Sequence, residues 1–326
     1  MDTMSLRAGD LVEVRSEAEI LATLDERGEL EGLPFMPEML KFCGQRLTVH
    51  KVAHKLCDTL YKTGLRRMDS AVHLLGARCD GADHGGCQTA CSLYWKEAWI
   101  KRVDPADLPS DGVPDSRLLP LLEVNTRKPA GEDGSERYSC QATELLRAAP
   151  KPLPMADLTQ FVTDVRTRNA GLGATLRAVA IGLYNRFQHV TRTRLPKALL
   201  INKGRPWGHM TGTVRGRTPV TTLDLRPGEL VRIKSKQDIL DTVNEDLANR
   251  GMNFDAELAR YCGQTARVRA RVDRCLDERT GRLLEMKTPC IVLEDVVCAG
   301  VHSLNCPREF FPFWREIWLE RVTDGG

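Results

Sequence analysis

LRAGDLVEVRSEAEILATL, residues 6–24, decides the reading of the fold, because the chain writes it again as LRPGELVRIKSKQDILDTV at 225–243. In each copy a Gly-Asp or Gly-Glu turn feeds an alternating apolar stretch, Leu11 to Val14 and Leu230 to Ile233, which predicts a half-buried strand. Ser16 with Glu19, and Ser235 with Asp238, then supply the side chains of a helix N-terminal capping box. The helix that follows in the first copy places Ile20, Leu21 and Leu24 on one face.

Working outward, residues 7–103 align without a gap on 226–322 at an offset of 219, with 27 of 97 positions identical. Chance alignment gives about one identity in fifteen, so the period reads as an internal duplication. The matches fall on uncommon residues. Cys43-Gly44-Gln45 meets Cys262-Gly263-Gln264, Cys79 and Cys87 meet Cys298 and Cys306, and Trp95, Glu97 and Trp99 meet Trp314, Glu316 and Trp318. Beyond the shared glycine, 46–52 and 266–272 alternate as strands, Asp277 to Gly281 predicts a hairpin turn, and further strands are expected at 71–75 and 290–293. Each copy closes in Trp-x-Glu-x-Trp, which as one strand would put both tryptophans and the glutamate on one face.

About five short strands with a helix after the first resemble an SH3-like small barrel of the kind found in KOW and Tudor modules. The resemblance rests on the Gly-x-Leu-Val opening and the strand order, and it implies a fold rather than an activity. The expected class is α+β: two homologous SH3-like barrels joined by a helical, basic central segment. The expected boundaries are 1–103 for the first Cys-rich repeat, 104–137 for a Pro/Asp/Gly/Ser-rich linker, 138–225 for the central segment and 226–326 for the second repeat. Helices are expected over 157–168 and 174–188. The second carries Leu176, Val179, Ala180, Leu183 and Phe187 on a broad face that suits packing on a barrel or, less commonly, lying on a membrane surface. Residues 197–223 read as extended, with Gly204, Gly208, Gly212 and Gly216 spaced as in a loop lying over another element.

The 326 residues are enough for two or three domains, and 42% apolar with 28% charged content is that of a water-soluble globular chain. No run long enough for a transmembrane helix occurs, and MDTMSLRAGDLVEV has no apolar core of a secretory signal, so a cytoplasmic protein is expected. The net charge of +3 is uneven: between Asp164 and Asp224 there is no acidic residue and there are eleven Lys or Arg. Within that span Arg192, Arg194, Lys203, Arg205, Arg215 and Arg217 are candidates for binding phosphate, nucleic acid or acidic lipid. The alternative is that they neutralise acidic faces of the flanking repeats.

In a reducing compartment, eleven cysteines point to ligands, reactive thiols or core residues before disulfides. The first repeat offers Cys57, Cys79, His84, Cys87 and Cys91, and the second offers Cys275, Cys298, His302 and Cys306. Seven residues separate Cys79 from Cys87 and Cys298 from Cys306. Thiolates with one imidazole suit tetrahedral zinc, so two zinc sites are expected, although no Cys-x-x-Cys knuckle is present. Cys57, Cys79, Cys87 and Cys91 together offer the four thiolates of a [4Fe–4S] cluster as the alternative. Cys91 has no counterpart, since Phe310 stands in its place, so the second repeat would need His302 or Cys290 as fourth ligand. Cys43 and Cys262 read as core. Cys91 and Cys140 are the thiols weighed as nucleophiles, and activation would require a base or a positive field.

No phosphate-binding loop, dinucleotide fingerprint, serine triad signature or His-Glu-x-x-His motif is present. The expectation for function is therefore a metal-binding tandem-barrel scaffold for an anionic or protein partner, with nucleic acid among the candidates. The alternative is an iron–sulfur or other metal-dependent redox enzyme acting in the first repeat.

Overall fold

The computed structural model describes residues 6–104 and 118–322; residues 105–117 of the expected linker lie outside the described residues. The chain is a mixed α/β protein built around two curled antiparallel half-barrel sheets with a few helices. It divides into two compact units. The first holds 1–175 together with 274–285 and 305–309, and the second holds 176–273, 286–304 and 310–326.

In the first unit, β1 (Leu11–Val14) runs into α1 (Glu17–Leu21), and then come β2 (Arg46–Val52), β3 (Ala71–Arg78), β4 (Ser92–Lys96) and β5 (Ile100–Arg102). The sheet order is β4-β3-β2-β1-β5, all neighbours antiparallel, with Leu11 opposite Thr48 and Val12 opposite Arg102. The cap of α1 forms as the local sequence requires: Ser16 Oγ accepts the Glu19 N–H at 3.4 Å and Glu19 Oε2 accepts the Ser16 N–H at 3.0 Å. Val12, Val14, Ile20, Met39 and Phe35 are buried, and Phe35 meets Trp95 and Trp99 edge-on at 6.1 and 5.2 Å. Helices α2 (Leu119–Thr126), α3 (Gln141–Ala148) and α4 (Thr159–Arg166) follow, and α5 (Leu172–Arg194) leads into the second unit. The N-terminus of α3 is fixed to the sheet by Gln141, whose side-chain oxygen accepts the Tyr94 N–H and whose amide donates to Tyr94 O, both at 2.8 Å.

In the second unit, β6 (Leu230–Ile233) is followed by α6 (Lys236–Leu240), β7 (Thr265–Leu276), β8 (Leu283–Leu293) and β9 (Leu319–Arg321), in the order β8-β7-β6-β9. The hairpin at Asp277 to Gly281, which with the adjoining ends of β7 and β8 belongs to the first unit, forms with the Gly281 N–H donating to Asp277 O at 2.8 Å. The core gathers Val231, Ile233, Ile239, Val268 and Ile291 around Phe254, Trp314 and Trp318. The glycine-spaced loop does lie against another element. A Cβ on Gly212 would come within 2.2 Å of the Val243 and Asn244 carbonyl oxygens, so this close approach admits only glycine.

Two expectations about faces are corrected. The Trp-x-Glu-x-Trp segment is not one strand: a 3₁₀ turn covers Glu97–Trp99 and Glu316–Trp318, which turns Trp99 and Trp318 into their cores. Each indole N–H finds a threonine, Trp99 to Thr23 at 3.0 Å and Trp318 to Thr242 at 2.9 Å. Glu316 is buried and paired with Arg271 at 2.9 Å, whereas Glu97 is half-buried. The broad apolar face of α5 is not packed on a barrel either. Leu176, Leu183 and Phe187 are 60%, 55% and 46% exposed, and the helix buries Ala178, Ile181 and Gln188 instead.

Candidate metal centre

The loop between β3 and β4 carries Cys79, His84, Cys87 and Cys91. It is held closed at its base by the Cys79 N–H donating to Cys91 O at 2.9 Å. Inside it, Gly81 O accepts the N–H groups of His84 and Gly86 at 3.2 and 2.9 Å. Gly81 has φ +70°, and a Cβ there would sit 2.0 Å from Cys87 O, so the loop can coil this tightly only with glycine at that place. The coil brings His84 Nε2 to 3.4 Å from Cys79 Sγ. On the other side of the ring, His84 Nδ1 lies 2.7 Å from Glu38 Oε1. That oxygen also accepts the Asp83 N–H at 3.0 Å, and His84 Nδ1 faces it without a hydrogen bond of good geometry. Glu38 reaches the loop from the 3₁₀ segment Pro37–Phe42.

All three side chains are buried: Cys79 is 8%, Glu38 4% and His84 2% exposed. Among the described residues they form the one grouping of three or more His, Cys, Asp or Glu donors whose ligand atoms all lie within 4.8 Å of one another. Burial, then the charges of Glu38, Cys91 and Cys140, push the Cys79 thiol well above its ordinary range, while the Gly81 N–H on its sulfur works in the opposite direction. A divalent cation would offset the burial and the neighbouring negative charges together by supplying the missing positive charge. An imidazole with a carboxylate behind it is the arrangement that orients histidine ligands in metal sites.

The remaining thiols are distributed in a way the repeat alignment does not anticipate. Cys57 and Cys306, assigned to different repeats, meet in the first unit: the Cys57 N–H donates to Cys306 Sγ at 3.1 Å. Burial opposes a charge on Cys306, but the Cys57 thiol and the backbone N–H of Arg308 outweigh it and lower its pKa. The Cys57 thiol is raised, first by its hydrogen bond to Cys306 and then by burial. Arg308 closes this corner, buried and paired with Glu278 at 3.1 Å. Cys87 accepts the Leu276 N–H at 3.4 Å, and buried Cys275 adjoins that residue in the same unit. Cys298 and His302 belong to the second unit, so the set Cys275, Cys298, His302 and Cys306 is divided between the units. There the Cys298 N–H donates to Phe310 O at 2.9 Å, and the His302 N–H donates to Glu257 Oε1 at 2.8 Å.

Neither candidate nucleophile is activated. Burial, first of all, pushes the Cys140 thiol up to about 12, and it raises Cys91 further. Arg192, Arg194, Lys203, Arg205, Arg215 and Arg217 are all exposed. Sequence reasoning missed Glu38, which carried one available signal: it is identical to Glu257 at the 219 offset. It also missed a fully buried Lys55–Asp164 pair, 2.6 Å apart, with His54 Nε2 3.3 Å from the other carboxylate oxygen. Comparison with protein-family models, with curated proteins and with solved structures finds no match to this chain.

Proposed function

We propose that this protein is a metal-stabilised binding module in which zinc, held by Cys79 and His84 together with the further thiols Cys87 and Cys91 of the same loop and with Glu38 behind the imidazole, fixes the first half-barrel. The observation that carries the reading is the burial of the three groups. Structural zinc sites are closed, whereas catalytic ones keep an open position toward solvent. Raised thiols at Cys91 and Cys140 favour binding over thiol chemistry. The partner is anionic, recognised by the exposed cations of the central segment.

In this reading the two half-barrels are copies of one SH3-like unit. What supports it is the recurrence of whole interactions at the 219 offset. Leu11 faces Thr48 as Leu230 faces Arg267, Trp99 bonds Thr23 as Trp318 bonds Thr242, and Glu38 accepts the Asp83 N–H as Glu257 accepts the His302 N–H. Only the first copy is proposed to hold metal, since the one close grouping of donors among the described residues lies there.

Metal content of variants tests the assignment. Cys79→Ser and His84→Ala each lose the bound metal, and Cys298→Ser and His302→Ala keep it. Loss in the second pair with retention in the first would overturn it.

A further inference from the structure

Helix α5 is turned inside out. Its buried side in the second unit is made of Ala178, Ile181 and Gln188, while Leu176, Leu183, Phe187 and Val190 are exposed. At 100° per residue these four fall within a narrow arc, and Arg177 and Arg186 lie on its two flanks. The chain then continues with exposed Leu199, Ile201 and Trp207, the last held edge-on against Tyr184 at 5.8 Å. By the same count exposed Arg194 falls within the arc and Arg192 on the opposite side, exposed Lys203, Arg205, Arg215 and Arg217 follow along the chain, and no acidic residue occurs from 165 to 223.

We propose that α5 and the segment after it lie on an anionic membrane surface, with Leu176, Leu183, Phe187 and Val190 entering the lipid interface and the flanking arginines meeting the headgroups. This deepens the reading of the chain as a binding module by naming its partner, and it does not depend on the metal. An exposed apolar strip with basic flanks is the pattern of helices that lie in the plane of a bilayer interface. No helix among the described residues is long and apolar enough to cross the bilayer, so surface binding is the membrane mode available to α5. A second copy fits the same strip poorly, because two such helices would bring arginine against arginine. Cations spread along the helix and the segment after it, which opens with 3₁₀ turns at Lys197–Leu199 and Ile201–Gly204 rather than running extended throughout, match a continuous anionic plane better than a point contact.

Flotation of the full chain with vesicles tests this. Binding is expected to phosphatidylcholine vesicles containing about one-third phosphatidylglycerol, weakening as salt rises, and not to phosphatidylcholine alone. Arg177→Gln and Arg186→Gln should each weaken binding about fivefold. Leu183→Glu/Phe187→Glu, at exposed positions, should fold normally by circular dichroism and weaken it at least about tenfold. Absence of binding at low salt, or binding that the Leu183/Phe187 variant leaves intact, would overturn the proposal. So would a dimer in solution that this variant dissociates. If vesicles fail but heparin or an acidic protein is bound through the arginines, the membrane assignment falls while the binding-module reading stands.

Discussion

Replacing Glu38 by Gln isolates the metal from the fold. Gln keeps the shape and a carbonyl oxygen for the Asp83 N–H, a 3.0 Å bond, and removes only the charge that stands 2.7 Å behind His84 Nδ1. Loss of such an outer carboxylate lowers metal affinity by about 10- to 100-fold, or roughly 1.4–2.7 kcal/mol. At fixed free zinc above the dissociation constant, the stability supplied by ligation falls by the same amount. For a unit of this size each kcal/mol moves the midpoint by about 2–4 °C, so Glu38→Gln should melt about 3–10 °C below wild type in zinc-buffered solution. With a chelator present the difference should vanish. Thermal unfolding in both buffers decides the matter. An equal loss with and without chelator would make Glu38 a plain structural residue and refute the reasoning.

Other consequences follow from the buried pairs. Asp164→Asn leaves the Lys55 ammonium uncompensated in a fully buried place, at a cost of about 3–5 kcal/mol, and Lys55→Met/Asp164→Asn should recover most of it in urea unfolding. Burial holds the Lys55 pKa below its ordinary 10.5 against the opposing pull of Asp164. The unfolded chain therefore binds more protons between the two values, and Asp164→Asn should regain stability as pH rises toward 10.5. Glu309 titrates at about 2 because hydrogen bonds and charge from His50 and Lys51 overcome the burial that pushes it up from 4.5. Its contribution, on the order of 2 kcal/mol, is fully present above 4.5 and is lost as pH falls toward about 2; Glu309→Gln should flatten that acid limb of the stability curve. Thr23→Val and Thr242→Val each strip a buried indole N–H of its acceptor and should cost about 1–3 kcal/mol apiece, read by tryptophan fluorescence during urea unfolding.

What could be read beforehand was local. Ser16 and Glu19 lie three residues apart and settle their cap between themselves, and Asp277 to Gly281 carries its turn in its own residues. What escaped was set by contacts far apart in sequence. Cys57 and Cys306 are 249 residues apart, and an in-register alignment assigns them to separate sites because it cannot show that 274–285 and 305–309 belong with the first unit. Periodicity located the apolar stripe of α5 but not which side the protein would use. The two-residue spacing of Trp-x-Glu-x-Trp read as a strand because the short turn at Glu97–Trp99 leaves the same alternation of residue types.

The account rests most directly on the metal content of the wild-type protein, purified anaerobically without chelators and examined for elemental composition, absorbance and metal-edge X-ray spectroscopy. It predicts about one zinc per chain, no colour, and a mixed sulfur and nitrogen shell with a Zn–S distance of about 2.3 Å. Metal-free protein that melts at the same temperature with and without added zinc would contradict it, as would brown protein carrying iron and sulfide.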